Sequence, residues 1–301
     1  MAPLTQLSAM LRMARPLILP GGMLAYALGA AMAYGHSGSF DWGRAAAGFL
    51  VTELANLLAS YADEYADVDT DALTRRTWFS GGSGVLPAGL VPVRWALWGA
   101  LVSGALAVAF TTLFILNGVL SPHTAWIVGL GLLGGWFYSM PSLCLERRGL
   151  GELDNALLGG LLMPLMGYTV QTGRPTVEAV LALLPIFTMV LVNLLGVHWA
   201  DREADAAVGK RSLVVIAGER ARPLHHALIA TSYLLVIALA GWVLPLPVVV
   251  ALLSTAPVGL WAAWTFGRQS SPVPSAAAMV AAIIAAAVGW IVAAGWPGAG
   301  P

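Results

Sequence analysis

The hydrophobic positions of this chain come in long unbroken runs and not in alternating or striped patterns. Nine stretches are apolar nearly throughout, at about 16–35, 42–62, 93–113, 122–141, 151–171, 178–198, 224–243, 246–266 and 275–296. An α-helix needs about 20 apolar residues to cross the roughly 30 Å hydrocarbon core of a bilayer. The runs therefore predict an all-α, polytopic membrane protein of nine transmembrane helices, in a single domain covering 1–301. The fourth, fifth and eighth runs are interrupted by Gly or Pro, which membrane helices tolerate where neighbours re-satisfy the backbone. The first run starts after Arg15, contains Pro16 and Pro20, and lacks a small-residue cleavage site. It reads as an uncleaved helix and not as a signal peptide. Ahead of it, Leu4, Leu7 and Leu11 recur at helical spacing before Arg12 and Arg15, a pattern for a short interfacial helix over 1–15.

The polar segments orient the bundle. With the N-terminus in the cytoplasm, thirteen of the fifteen Lys and Arg residues fall inside, and only Arg44 and Arg174 fall outside. That positive-inside bias places the N-terminus and the long loops at about 63–92 and 199–223 in the cytoplasm, and the C-terminus outside, across the cell membrane. Trp42, Trp290 and Trp296 sit where interfacial anchors belong. Composition narrows the field further. Charged residues make up 10% of the chain and the mean hydropathy is +0.79, against about 25% charged residues in soluble domains. The formal net charge of zero disfavours a nucleic-acid partner. A single cysteine, Cys144, excludes an internal disulfide and a thiolate-rich metal site.

Eight of the fifteen acidic residues lie in two short stretches where a predicted span reaches the cytoplasmic face. The first is D-E-Y-A-D-V-D-T-D, beginning at Asp63, and the second is D-R-E-A-D, beginning at Asp201. Asp63, Asp67 and Asp71 step by four, as do Asp201 and Asp205, so each series lines one helix face. Like charges at that spacing repel, and near hydrocarbon the cost rises. Oxygen-rich, thiol-free sites of this kind favour Mg²⁺, Mn²⁺ or Ca²⁺, and Mg²⁺ shares its remaining positions with water and substrate phosphates. Glu64, Asp69 and Glu203 fall off the series and read as solvated residues. Arg75 and Arg76 follow the first stretch, and Lys210 and Arg211 the second, an acid–base order repeated four spans apart. Glu53, Asn56 and Asn193 add polar groups within spans, and a hydrogen-bonded structural role suits them.

These motifs resemble the UbiA superfamily of intramembrane prenyltransferases. That family carries N-D-x-x-D-x-x-x-D and D-x-x-x-D at the cytoplasmic ends of its second and sixth helices. Here the two appear as Asp63–Asp71 and Asp201–Asp205, the latter followed by G-K-R-S-L. A-R-P-L-I-L-P from Ala14 and Y-S-M-P-S-L-C-L-E-R-R-G-L-G-E from Tyr138 are similar to the branch that prenylates 1,4-dihydroxy-2-naphthoate in menaquinone synthesis. The departures are Asp63 for Asn, Glu64 for Asp, Val197 and His198 for an Asn pair, and Cys144 and Glu146 where lysines are expected.

The resemblance implies nine helices around a central cavity and transfer of a prenyl group from an isoprenoid diphosphate to an aromatic acceptor. It implies Mg²⁺, with Mn²⁺ as the alternative, held by Asp63, Asp67, Asp71, Asp201 and Asp205. Arg15, Arg75, Arg147 and Lys210 then face the diphosphate, and Tyr138 lies near the reacting carbon. A first-motif carboxylate, water or His198 is left to act as base. Two other readings stay open. One keeps the family and changes the acceptor to a glycerophospholipid ether or a tetrapyrrole, or replaces transfer by cyclisation. The other is a divalent-cation or substrate transporter, against which stands the clustering of the aspartates at one membrane face.

Overall fold

The computed structural model describes residues 3–16, 19–72, 82–207 and 209–295. Arg75, Arg76 and Trp296 lie outside the described residues. The chain is helical almost throughout: α1 (Pro3–Met13), α2 (Leu19–Ser37), α3 (Trp42–Ala66), α4 (Val68–Asp71), α5 (Arg94–Leu116) and α6 (His123–Ser139) come first. A 3-10 turn (Leu145–Arg147) then leads to α7 (Gly151–Leu157), a π-helical turn (Leu158–Leu162) and α8 (Met163–Thr172). The remainder is α9 (Val177–Ala207), α10 (Leu213–Ala217), α11 (Ala221–Ala238), α12 (Leu246–Leu253), α13 (Ala256–Thr265) and α14 (Val273–Ala293). Every apolar run read from the sequence is largely helical, and the described residues contain no strand beyond two isolated bridges. Five helical segments are long and apolar enough to cross a bilayer unaided: α3, α5, α9, α12–α13 together and α14.

The outer surface belongs to lipid. Trp98, Leu101, Val102, Val108 and Leu113 stand exposed along α5, and Ile284, Val288 and Ile291 along α14. Such contiguous apolar surface is untenable in water and unremarkable against acyl chains. Lipid is as apolar as leucine, so helices associate through close packing rather than through escape from solvent. The α2–α8 crossing is built that way. A methyl on Gly29 would sit 1.6 Å from the Pro164 carbonyl oxygen, and one on Gly167 2.1 Å from that of Tyr26. The two backbones touch, which only glycine permits.

The elements form a closed bundle. α3 packs on α5 and α6, α2 on α8 and α14, and α14 on α9 and α12. Trp290 corrects one expectation: it is 3% exposed and stacks edge-on against His36 at 4.7 Å, a core residue and not a lipid anchor. Trp42 is 80% exposed at the start of α3. An apolar groove of about 540 Å³ opens between α3, α5 and α6, lined by Leu58, Leu101, Gly104, Val108, Leu132 and Trp136.

The charged connections after α3, α6 and α9 converge at one end of this bundle. α1 lies against that end, where Tyr61 donates a hydrogen bond to the Met10 carbonyl at 3.1 Å. Ala9, Met13, Leu58, Ala62, Val85 and Met140 form a small apolar cluster beneath the charged loops.

Candidate active site

The first acidic series continues the axis of α3. The Asp67 amide donates to the Asp63 carbonyl at 2.9 Å, and the Asp71 amide to that of Asp67 at 2.8 Å, so the helical stepping survives the bend at Asp67. Arg15 follows α1 with φ of 51°, a left-handed backbone that turns its side chain onto α3. Its Nη1 reaches Asp63 Oδ2 at 2.6 Å, and its Nε donates to Glu64 Oε1 at 3.0 Å. Ser139, the last residue of α6, donates to Asp63 Oδ1. Glu64 was expected in solvent; it is 1% exposed and accepts from Arg15 and from both the amide and the hydroxyl of Ser83. It ties the end of α1 and the loop before α5 to α3.

The loop after α6 brings a carboxylate that sequence reasoning did not assign. Glu146, in the 3-10 turn, is 7% exposed. Lys210 Nζ donates to Glu146 Oε2 at 2.9 Å and to Asp67 Oδ2 at 2.6 Å. Arg147 approaches Asp67 Oδ1 at 3.8 Å. Asp63, Asp67 and Glu146 each place a carboxylate oxygen within 4.8 Å of the others. The signal for Glu146 was its position: an acid beside two arginines at the membrane face, in a stretch where lysine was expected.

The electrostatics of the described residues are those of crowded carboxylates. Burial lifts the Glu146 carboxyl to about 8, and Asp63 and Asp67 add to the rise while Lys210 opposes it. Burial, then Asp67, lifts Asp71 to about 7, with Arg15 opposing. Burial alone would lower the Lys210 ammonium, but Asp67, Glu146 and Asp63 together raise it. Among the described residues, Asp63, Glu64, Asp67, Asp71 and Glu146 thus crowd around Arg15, Arg147 and Lys210, five acids to three cations. Such crowding is relieved by protons or by added cations. The donor set is all oxygen, and Glu146 Oε1 is buried without a hydrogen-bond partner among the described residues. These residues fit a hard divalent cation such as Mg²⁺.

The second series lies near the end of α9. Asp201 and Asp205 are half-buried, whereas Glu203 is exposed and pairs with Arg202 at 3.1 Å. Neither aspartate belongs to the close Asp63–Asp67–Glu146 group. Lys210 joins the two halves: its amide donates to the Asp205 carbonyl at 2.9 Å while its side chain reaches Asp67. The turn between uses Gly209 at φ of 76°, a conformation that suits glycine. Asp205 also lies within electrostatic range of His198 and Asp201. Tyr138, half-buried on α6, sits among Glu146, Asp63, Lys210 and Glu152. Below the carboxylates, His198 Nδ1 lies 2.6 Å from Glu152 Oε1.

The meeting of two acidic helix ends at Lys210, at one end of a helical bundle, matches a known pattern. The sequence pattern of the UbiA prenyltransferase family aligns with residues 23–287. The chain belongs to the UbiA prenyltransferase family. Among curated relatives, a 1,4-dihydroxy-2-naphthoate octaprenyltransferase of Bacillus subtilis is 28% identical over 140 residues, 44% of this chain and 45% of that protein. The chain thus spans less than half the length of that relative. A protoheme IX farnesyltransferase of Pyrobaculum arsenaticum is 28% identical over 240 residues, 74% of this chain and 81% of that one.

Solved UbiA homologues share the fold. One from Archaeoglobus fulgidus, bound to DMAPP and Mg²⁺, superposes with a TM-score of 0.71 at 19% identity, over 94% of this chain and 99% of that one. The apo homologue from Aeropyrum pernix K1 gives 0.70 at 18%, over 90% and 96%. This UbiA family chain is accordingly an integral membrane protein.

Proposed function

We propose that this UbiA family protein transfers a prenyl group from an isoprenoid diphosphate to an aromatic quinone precursor resembling 1,4-dihydroxy-2-naphthoate. The observation that carries the reading is the close gathering of Asp63, Asp67 and Glu146 on Lys210, where α3, the turn after α6 and the segment after α9 meet. In this reading Asp63, Asp67, Asp71, Asp201 and Asp205 hold Mg²⁺ or Mn²⁺, and Glu146 adds a further oxygen beside them. The bound cation supplies positive charge for the departing diphosphate.

The chain's own residues supply the rest. Arg15, Lys210 and Arg147 face the diphosphate oxygens and stabilise the charge that develops there. The prenyl tail, being apolar, points away from the charged loops into the bundle. The bond between the first prenyl carbon and oxygen breaks, the diphosphate leaves with the electron pair, and an electron-rich acceptor carbon bonds to the prenyl carbon. Tyr138 presents its ring beside that carbon. Enclosure in the bundle keeps water from the reacting cation. The family resemblance and the positive-inside bias support a site on the cytoplasmic face of the cell membrane.

A second reading rests on the longer of the two curated matches, to a protoheme IX farnesyltransferase. It keeps the donor site and changes the acceptor to a tetrapyrrole. One experiment separates them. Purified protein in detergent receives Mg²⁺ and geranylgeranyl diphosphate or farnesyl diphosphate, with dihydroxynaphthoate, with protohaem, or with neither. Diphosphate release that needs the naphthoate and is lost in Asp67→Ala and Asp201→Ala supports the first reading. Dependence on protohaem supports the second, and release without any acceptor overturns both in favour of cyclisation or hydrolysis.

A further inference from the structure

The prenylated acceptor has to lose a proton, and Asp63 and Asp67 of the donor site are engaged with Arg15 and Lys210. We propose that His198, held by Glu152, takes that proton; the inference rests on the prenyl-transfer reading above.

His198 lies on α9 three residues before Asp201 and seven before Asp205, so the three share a face. At about 1.5 Å per residue, it sits about 4.5 Å nearer the bundle interior than Asp201. Donor chemistry places the reacting carbon at that level. The diphosphate is held among the aspartates, the tail runs inward, and the first prenyl carbon is bonded directly to the diphosphate. The acceptor meets this carbon from the side away from the leaving group, which is the interior side.

The imidazole is fixed for this task. Glu152, on α7, is 1% exposed and accepts the Leu213 amide at 2.6 Å through the same Oε1 that faces His198 Nδ1. An oxygen already accepting one hydrogen bond, in a carboxylate, accepts again from Nδ1–H. In the neutral imidazole the proton therefore resides on Nδ1, and Nε2 keeps a lone pair. His198 Nε2 makes no hydrogen bond among the described residues, and the side chain keeps 19% of its surface open. Charged groups around the ring are Glu152, Asp205 and Lys210. The step balances simply. The acceptor's electron pair forms the new bond to the prenyl carbon, the diphosphate departs with the old one, and the acceptor's proton passes to Nε2. Glu152 keeps its charge and stabilises the imidazolium.

The alternative is that this pair only ties α7 to α9. His198→Gln tests the difference, because glutamine can still donate to Glu152 but cannot take a proton. Each variant is assayed with whichever of dihydroxynaphthoate or protohaem the wild type prenylates, alongside Mg²⁺-dependent binding of geranyl thiodiphosphate, a donor that does not react. The expected result is a loss of kcat of about a hundredfold or more in His198→Gln. Binding of the donor analogue should stay within about twofold, and the KM for acceptor should change little. His198→Ala should regain activity when imidazole is added. Transfer by His198→Gln at close to the wild-type rate overturns the proposal, as does a parallel loss of analogue binding, which marks a structural tie. A wild type that prenylates neither acceptor instead overturns the transfer reading, and the proposal falls with it.

Discussion

The two ends of the bundle use the same residue types in opposite ways. At the start of α3, Asp41 and Arg44 are neighbours in sequence, 3.5 Å apart and about half exposed. At its other end, Asp63 and Arg15 meet from different chain segments at 2.6 Å, with side-chain exposures of 14% and 23%. The first pair is local: Asp41 caps α3 by accepting from the Arg44 amide at 3.0 Å, and water screens the charges. The second belongs to a cluster with Glu64, Ser83, Ser139, Lys210 and Glu146 that joins five chain segments. Charge used for solubility lies along one segment. Charge used for chemistry is gathered from several, shielded from water and left out of balance.

That contrast can be broken at either end. The largest effect should follow Asp67→Ala, which removes the carboxylate facing both Lys210 and Arg147. Metal-dependent diphosphate release should fall by about a hundredfold or more, as when a preorganised charge-stabilising group is lost. Glu64→Ala should come next, in stability. It leaves the Arg15 Nε and the buried Ser83 groups without their acceptor, a loss of about 3 kcal/mol seen as an earlier thermal transition in detergent. Gly29→Ala probes neither end and sharpens the comparison by disturbing packing alone. It forces α2 from α8 at about 1–3 kcal/mol, again read as an earlier transition, with Mg²⁺-dependent donor binding retained by the folded fraction.

At the opposite end, Asp41→Ala should remove a helix cap, about 1 kcal/mol, and leave donor turnover unchanged. Arg44→Ala should be smallest, within about 0.5 kcal/mol, since it loses only a screened surface pair. If Arg44→Ala matched Glu64→Ala in the same thermal assay, the distinction between the two ends would fail.

Much of this architecture was legible because membrane helices announce themselves by length. The apolar runs located α2, α3, α5, α9 and α14, and the four-residue spacing placed Asp63, Asp67 and Asp71 on one face of α3. What stayed hidden depends on which neighbour a residue meets. Glu64 follows Asp63 by one position, so it turns to another face; that face happens to meet Arg15 and Ser83 rather than water. Trp290 lies near a helix end, as an anchor would, yet packs on His36 because α2 passes there. Glu146 reaches Asp67 only because Lys210 returns from the end of α9. His198 looked like a solitary histidine until the fold brought Glu152 beside it. The transport reading finds no support in carboxylates gathered at one end of a UbiA fold.

The central claim is that this end of the bundle binds a prenyl diphosphate through carboxylate-held divalent cations. The most direct test is binding of geranyl thiodiphosphate to purified protein, with Mg²⁺ and with EDTA, in wild type and Asp67→Ala. The account predicts binding that needs Mg²⁺ and is lost in Asp67→Ala while the variant stays folded. Equal binding with EDTA, or undiminished Mg²⁺-dependent binding by Asp67→Ala, would contradict it.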